Sequence, residues 1–562
     1  MTSLYKKVIS GKPYYYLREM AWVDGKPKLA SERYVGSAAE IEALLDGRDQ
    51  AITPSRTRHL GFGDLAAAWS VIEKLGVAGI VDDVVDRRKD AAASAGTYIA
   101  LAAVNRVVDP CSKRGFADWW STTAGDRLVK IGKAALDHRR FWDAMHAVHA
   151  EALVEIERRI AAKAIEVFGL DTTSLALDMT NFATYIDSTN DRAPIAQRGK
   201  AKQKRSDLRL VGLGLVVTRD GGVPLLSHAY PGDKPDVTQF ATMIDELATR
   251  HRGLGADLAA LTVVFDAGQN SEPNFDHLTD AGLGYVGSLP PSDHPDLLGI
   301  PIGDYRRVAE FDGLHAHEVG SIDALGRSHR TVLTHSAELH AGQARGLDQT
   351  LAKAERELGK IADVLQSGRG RRTRDQLDTA IAKITHKRWV RDLLTTAVTG
   401  DTPATLRLAW RIDTDARNTL EQRLFGKRIL ITDRHDWTVP QVIAGYRSQS
   451  DAEFGFRQLK DPHTVSFSPM HHWTEHNIRV HVFYCVLALM TAHLMRRTAR
   501  QAGTNLSLRE LLAQLAGIEE TVLIYPSTGG RPKARRMLTE TTDQQDQLSA
   551  IFGLDRWAPP KT

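Results

Sequence analysis

The sequence predicts an α/β protein built from several structural units. At 562 residues the chain is much longer than a single domain of about 100–200 residues, which predicts three to five units. Hydrophobic residues make up 42% of the chain and charged residues 25%, as in folded globular proteins. Between residues 167 and 290, strand-like runs surround one helical pattern. That order is typical of a sheet with helices packed on it.

The first two predicted units precede this α/β region. Residues 1–50 alternate short β-type runs with turn signals such as 10–13 and 24–27, which predicts a small β-meander or hairpin unit. Residues 55–165 are alanine-rich, and Ile72 and Leu75 follow the apolar run 65–69 at the spacing of a helix face. We interpret this region as a separate helical domain.

The α/β domain itself is predicted in two parts. Its first part, 166–292, contains strands at 174–178, 210–218, 224–230 and 261–266 and a helix at 237–250. An inserted subdomain follows at 293–425, with strand-like sequence up to 335 and then helices at 347–365 and 374–394 around the basic turn 369–372. The second part, 426–500, has a strand at 427–432 and helices at 439–460 and 475–497. A tail, 501–562, carries the basic stretch 531–536 and is expected to pack loosely.

Composition restricts the class of protein. The formal net charge of +4 is small for this length, so we expect basic groups to be gathered in patches. The two cysteines, Cys111 and Cys485, provide neither a disulfide framework nor a cysteine-based zinc site. The start of the chain lacks an apolar segment of signal-peptide type, and the apolar run 482–490 is about half a membrane span. We therefore expect a cytoplasmic protein that does not enter a membrane.

Two aspartates end aliphatic runs, Asp178 after 175–177 and Asp266 after 261–265. Ligands gather at the carboxyl ends of strands in α/β sheets, so neighbouring strands bring both carboxylates to one site. Carboxylate oxygens suit magnesium, and two such ions support phosphoryl transfer. Alternatively, each aspartate is only a turn former or helix cap. Asp171 and Asp187 compete for the first position, but one precedes the strand and the other lies in a polar loop.

The third acidic residue is predicted on a helix. Tyr446, Glu453 and Lys460 are seven residues apart, so a continuous helix places them on one face with about 20° of drift per step. Arg457 joins that face four residues after Glu453. Such a face puts Glu453 on a metal ion and the cations on phosphates. The alternative is an ordinary surface pair between Glu453 and Arg457.

These segments resemble those of the DDE transposases of bacterial insertion sequences, in the subgroup with a Tyr-Arg-Glu-Lys signature. The signature spacing falls on Tyr446, Gln449, Glu453 and Lys460, with Gln449 in place of the signature arginine and Arg447 as an adjacent substitute. The sequences 177–180 and 265–268 resemble the two aspartate strands of that family. Other similar phrases lie at 206–209, 220–225 and 230–233, and the resemblance covers about 170–495.

The resemblance implies a ribonuclease H-like fold with the order strand, strand, strand, helix, strand. It implies that Asp178, Asp266 and Glu453 are the catalytic residues and hold two magnesium ions, with manganese as a substitute. Glu453 lies 187 positions after Asp266 (453 − 266), which is far too long for a loop, so the insertion predicted at 293–425 is required.

Basic and aromatic residues near these acids are candidate DNA contacts. Between the first two predicted strands lies a cluster of cations that we interpret as a phosphate-binding loop: Arg198, Lys200, Lys202, Lys204, Arg205 and Arg209. A solvated lysine-rich loop is the alternative. The signature segment adds Tyr446, Arg447, Arg457 and Lys460. Trp473 either stacks on an unpaired base near the cleavage point or belongs to the core.

The function implied by the resemblance is DNA transposition, with the helical region 55–165 as a DNA-binding domain. Such an enzyme binds the terminal inverted repeats of its element, cleaves a strand to a 3′-hydroxyl and joins that end to target DNA, assembling as a homodimer on the DNA. In a bacterium it acts in the cytoplasm, at the nucleoid. Two alternatives remain open: a ribonuclease H-like nuclease without strand transfer, and a non-catalytic DNA-binding protein derived from a transposase.

Overall fold

A computed structural model of the protein describes residues 2–23, 26–43, 45, 53–86, 91–200, 207–254, 257–367, 371–526 and 532–560. The chain opens with β1 (Thr2–Ile9), β2 (Lys12–Val23) and β3 (Lys26–Ser37), which form an antiparallel meander of their own. This agrees with the β-rich unit that the turn signals predict. The next strand, β4 (Arg56–Gly61), precedes the helical region.

The helical region contains six α-helices in its described part, and the last ends at a left-handed glycine, Gly169. Their bounds are Gly63–Lys74, Val77–Val84, Ala95–Val108, Phe116–Ser121, His138–Ala147 and Ala150–Phe168. The helices were predicted, but their separation from the α/β domain was wrong. Within the described residues one hydrophobic core runs from Leu60 through the central sheet to Trp557. The small alanine side chains of this region allow its helices to approach closely, so the helical region shares one hydrophobic core with the central sheet.

A nine-stranded mixed sheet lies at the centre and confirms the predicted α/β class. The predicted order of three strands, a helix and a strand is present as β5 (Ser174–Thr184), β6 (Arg209–Thr218), β7 (Pro224–Pro231), the helix Phe240–Gly253 and β8 (Thr262–Val264). The helix Glu272–Asp280 and β9 (Gly284–Leu289) follow. β5 pairs with β6, and β6 with β7, in antiparallel fashion, whereas β8 is parallel to both β5 and β9.

The inserted subdomain begins later in the chain than the sequence predicts. After the short helix Pro295–Leu298, the strands β10 (Arg306–Arg307), β11 (Leu314–Ala324) and β12 (Arg327–Ser336) extend the central sheet. Only the following residues form a second hydrophobic core. It contains β13 (Leu394–Thr399), β14 (Arg407–Ile412) and the helices Ala337–Gln366, Arg374–Thr385, Val390–Leu393 and Thr414–Leu424. The predicted start at 293 is therefore corrected to about Ala337.

The strand β15 (Lys427–Thr432) returns the chain to the central sheet between β12 and β9. One helix was predicted at 439–460, but the structure has two, Val439–Arg447 and Gln449–Lys460, separated at Ser448. The Ser448 hydroxyl donates to the carbonyl of Gly445 at 2.6 Å. The Ser450 hydroxyl donates to that of Arg447 at 2.7 Å. Such bonds compete with the helical ladder and explain the break.

The helix Glu475–Gln501 is long and apolar enough to cross a membrane, with a mean hydropathy of 1.6, but 94% of its apolar window is buried inside the protein. It packs against the helices Ala95–Val108 and Gly63–Lys74 and against β7. Because it joins the helical region to the sheet, we call it the core helix.

The prediction that the tail packs loosely was wrong. Its strand β16 (Glu519–Ile524) pairs with β4 on one side and β17 (Ala534–Leu538) on the other. The helices Leu508–Ala516 and Asp543–Phe552 add Leu511, Leu515 and Leu548 to the main core. In the basic stretch 531–536, Arg536 pairs with the buried Glu520 at 2.5 Å.

Candidate active site

Asp178 lies in the middle of β5, not at its end as predicted. β5 continues to Thr184 because it pairs along its length with β6. Its parallel pairing with β8, however, ends at Ala176, opposite Val264. Asp178 therefore lies just beyond this shared ladder, half-buried, and its carboxylate accepts from the amide of Met179 at 2.7 Å.

Asp266 occupies the matching place on the neighbouring strand. It lies two residues after Val264, as Asp178 lies two residues after Ala176, and its backbone is still extended. Neighbouring strands are about 4.8 Å apart, so the register brings the two aspartates to the same edge. Asp266 is exposed, and its carboxylate accepts from the amide of Gly268 at 2.9 Å. Asp266 therefore also caps the short turn that follows it, which is the role that the alternative interpretation gives it.

The two competing aspartates are turn formers. Asp171 accepts from the amide and the hydroxyl of Thr173 at 2.9 and 2.7 Å. Asp187 accepts in the same way from Thr189 at 2.8 and 2.7 Å. These bonds fix local turns and lie outside the shared edge of β5 and β8.

Glu453 is exposed on the helix Gln449–Lys460, which we call the glutamate helix. This helix packs on β5 and on the core helix. Glu453 lines an open cleft of about 280 Å³. The cleft is also lined by Tyr446, Arg447, Gln449 and Ser450 and, from the sheet, by Thr334, Arg428 and Leu430. The side chain therefore faces the cleft over β12 and β15.

The nearby Asp451 occupies a different side of the same helix. It is half-buried against the core helix, and burial raises its carboxyl pKa while Arg496 and Arg500 lower it. Gln458 lies on that side too, 2.6 Å from the ring of His493. Of the two acids in the helix, only Glu453 faces the cleft.

Lys460 connects the glutamate helix to the strand of Asp178. Its ammonium donates to the hydroxyl of Thr180 at 2.6 Å and lies 5.3 Å from the centroid of the Phe182 ring. Alternate residues of a strand share a face, so Asp178 is on the face that Lys460 contacts. Thr180 and Asp178 are two residues, or about 7 Å, apart along β5.

The other signature residues are placed differently from the prediction. Tyr446 is buried, and its hydroxyl donates to that of Ser288 at 3.0 Å, so it lines the cleft beside Glu453 from the preceding helix and not from the face of one continuous helix. Gln449 is buried as well, whereas Arg447 is exposed with its guanidinium 4.9 Å from the Phe311 ring centroid. Arg457 lies 5.6 Å from the ring centroid of its neighbour Phe454.

Magnesium is the cation that the three acids suit by donor chemistry. Among the residues that the structure describes, however, no three histidine, cysteine, aspartate or glutamate side chains are grouped closely enough to hold a metal ion. The strand ladder brings two of the acids to one edge, while the third faces the cleft over β12 and β15. The three acids thus match a divalent cation in the type of their donor atoms.

The predicted phosphate-binding loop is described only at its two ends. Lys200 is exposed, and its carbonyl accepts from the side chain of Asn181 at 3.1 Å. Lys202, Lys204 and Arg205 lie outside the described residues. Arg209 has a structural contact, since its guanidinium donates to the carbonyls of Asp187 and Asn190 at 3.2 and 2.7 Å.

Trp473 is on the surface, with 54% of its area exposed, so the interpretation of it as a core residue was wrong. The guanidinium of Arg192 lies 5.0 Å from its ring centroid, and Tyr185 is exposed nearby, where its ring contacts His471. Arg192 and Tyr185 were not predicted, because only the fold brings the end of β5 beside the segment before the core helix.

Tyr230 was missed as well. Its hydroxyl donates to Asp236 at 2.7 Å. Burial raises the pKa of Tyr230, and so do the bond to Asp236 and the negative charge of Asp178. Tyr230 therefore stays protonated close to the aspartates. The phrase 230–233 indicated a similarity in sequence but not this contact.

No family model matches the chain, and no curated protein matches its sequence. Among solved structures, the chain is similar to the piggyBac transposase in its cryo-EM synaptic complex with hairpin DNA. The TM-score is 0.37 and the identity 8%, over 82% of this chain and 82% of that chain. A TM-score below 0.5 does not establish a common fold, so the proposed function rests on the residues of this chain.

Proposed function

We propose that this protein is a DNA transposase of the insertion-sequence type, with a ribonuclease H-like catalytic centre. The observation that carries the proposal is the matched placement of Asp178 and Asp266. Each lies two residues beyond Ala176 and Val264, the last residue pair between the parallel strands β5 and β8. Around them the strand order β7-β6-β5-β8-β9 has three antiparallel strands followed by two parallel ones. Along the chain these elements are three strands, the helix Phe240–Gly253 and β8, which is the order that the sequence resemblance implies.

In this proposal Asp178, Asp266 and Glu453 would hold magnesium, which would activate a water or 3′-hydroxyl and stabilise the leaving oxygen. The chain's own residues orient the DNA. Lys460, fixed by Thr180, carries a positive charge on the Asp178 face of the sheet. Arg447 carries another on the cleft of Glu453. Such charges hold a phosphodiester by its oxygens, so they contribute by positioning.

The duplex partners in the proposal are the terminal inverted repeats and the target DNA, with one copy of the chain at each end. Exposed Lys200 and the pair of Arg192 and Trp473 contribute further contacts with the DNA. Their chemistry suits phosphates and an unpaired base, respectively.

The test uses the full-length protein and the genomic DNA that flanks its gene, with magnesium, with manganese, or with excess chelator. We expect nicks at fixed positions that depend on the metal, followed by joining of the new 3′-ends to a supercoiled plasmid. Cutting without any joined product would favour the nuclease over the transposase. Binding without cutting under every metal condition would favour the non-catalytic DNA-binding protein.

A further inference from the structure

The N-terminal sheet of β1, β2 and β3 stands apart from both hydrophobic cores in the part of the chain that is described. Every residue of β1 is exposed. Large apolar side chains are open to solvent, with Leu4 61%, Val8 60% and Trp22 76% exposed. A three-stranded sheet with two uncovered faces buries little apolar area, so a surface that covers one face would stabilise it.

The two faces of this sheet differ in chemistry. Residues directly opposite each other in antiparallel strands share a face, and successive residues alternate between faces. The register pairs Tyr16 with both Tyr5 and Tyr34. The face that contains them, here the tyrosine face, includes Tyr5, Lys7, Lys12, Tyr14, Tyr16, Arg18, Trp22, Glu32 and Tyr34. The opposite, aliphatic face includes Leu4, Lys6, Val8, Leu17 and Arg33.

Two cations of the tyrosine face, Lys7 and Arg18, already contact other side chains in the folded protein. The guanidinium of Arg18 lies 3.3 Å from the centroid of the Tyr5 ring and pairs with Glu32 at 2.6 Å. The ammonium of Lys7 lies 5.7 Å from the centroid of the Tyr16 ring. Because these side chains have lost rotamer freedom in the folded protein, they lose less on binding a partner.

The charge of the sheet identifies the kind of partner. Residues 2–37 contain seven basic and three acidic side chains, a net charge of +4 that equals the formal net charge of the whole chain. The complementary partner is a polyanion, and duplex DNA carries about one negative charge per 1.7 Å of its axis.

We propose that the tyrosine face binds duplex DNA, with Lys7 and Arg18 on phosphates and the aromatic rings against sugars and base edges. The inference rests on the proposed function, since it adds a contact to the DNA on which the chain acts. It assigns DNA contact to the meander of residues 2–37, in addition to the helical region that the sequence suggested.

The test compares two double variants of the full-length protein that lose the same charge from opposite faces. Lys7→Gln/Arg18→Gln changes the tyrosine face, and Lys6→Gln/Arg33→Gln changes the aliphatic face. Binding to a short labelled duplex of unrelated sequence is measured by fluorescence anisotropy over a series of salt concentrations. Circular dichroism checks that both variants fold as the wild type does.

We expect the tyrosine-face variant to bind at least about 10-fold more weakly, with the log–log salt slope reduced by about 0.9 per lost phosphate contact. The aliphatic-face variant should keep the wild-type slope. Equal losses in the two variants, or no loss in either, would overturn the proposal. So would tighter binding of a single strand than of the duplex, or a change in oligomeric state without a change in DNA affinity.

The same preparations separate this inference from the proposed function. A wild-type protein that binds through the tyrosine face but never cuts DNA would contradict the transposase alone. A protein that cuts DNA while its tyrosine-face variant binds normally would contradict the docking surface alone.

Discussion

The two halves of the candidate active site are held in different ways. Asp178 and Asp266 are fixed by hydrogen-bonded ladders, since β5 is paired on both sides and the chain after β8 is still bonded to β9. Glu453 is exposed on a helix that begins anew after the break at Ser448 and faces an open cleft. Backbone hydrogen bonds therefore set the position of the strand half, Asp178 and Asp266. The position of the helix half, Glu453, depends on how the helices Val439–Arg447 and Gln449–Lys460 pack.

The largest effect is expected in the strand half. Asp178→Ala and Asp266→Ala should each lower cleavage at least about 10³-fold, because a lost metal ligand removes several kcal/mol of charge stabilisation. DNA binding should persist. Asp171→Ala is the matched control, since that carboxylate only caps a turn with Thr173. The measurement is the single-turnover cleavage rate with magnesium on a terminal-repeat duplex.

The outcome also tests whether the ladder sets the site. If one aspartate variant cut DNA like the wild type while the other was inactive, the matched register would have no catalytic meaning. Loss of activity in Asp171→Ala would instead indicate that the turn before β5 controls the position of the strand.

Strands that are buried along most of their length were predictable. The predicted limits for β6, β7 and β15 differ from the structure by at most one residue, because long β-branched and aliphatic runs are interrupted by clear turns. β5 was predicted too short, since Thr180 and Asn181 break the apolar run, yet pairing with β6 continues through them. Ladder partners therefore set the end of this strand.

Pairings between distant segments were not predictable from local pattern. β4 pairs with β16 across more than 450 residues, for example Arg56 with Ile524, and nothing in either segment alone indicates the other. The same holds for β11 and β12, whose alternating sequence suits a subdomain hairpin as well as the edge of a large sheet. The loose tail and the early start of the insertion were wrong for this reason.

The second expected effect concerns the helix half. Glu453→Gln should lower cleavage by about 10²- to 10³-fold, since an amide binds a hard cation less well than a carboxylate of the same shape. Asp451→Asn is the matched control, because that acid lies two residues away on the side of the core helix. The rate should then fall only in the variant of the cleft-facing acid.

Cleavage and unfolding midpoints are measured for both helix variants. If Asp451→Asn lost as much activity as Glu453→Gln while staying equally stable, the assignment of the third acid to Glu453 would be wrong. If neither lost activity, the site would consist of the strand half alone.

The signature residues illustrate what spacing can and cannot predict. The seven-residue spacing correctly puts Glu453 and Lys460 on one continuous helix. It fails for Tyr446, which belongs to the preceding helix and is buried against Ser288. The break at Ser448 arises from hydroxyl-to-carbonyl bonds, and the serines of this segment are compatible with either a continuous or a broken helix.

The smallest expected effect lies where the two halves meet, at Lys460. Lys460→Ala removes its bond to Thr180 and a charge on the Asp178 face, so cleavage and end binding should both fall, by about 10- to 100-fold. Arg159→Ala is the control, because that cation pairs with Glu155 on the helix Ala150–Phe168 and should change either quantity less than about threefold. Cleavage rates are measured against magnesium concentration on nicked and intact duplexes. A Lys460→Ala variant that binds DNA normally but needs far more magnesium would show that the lysine supports the metal ligands, and its assignment to the phosphate would then be wrong.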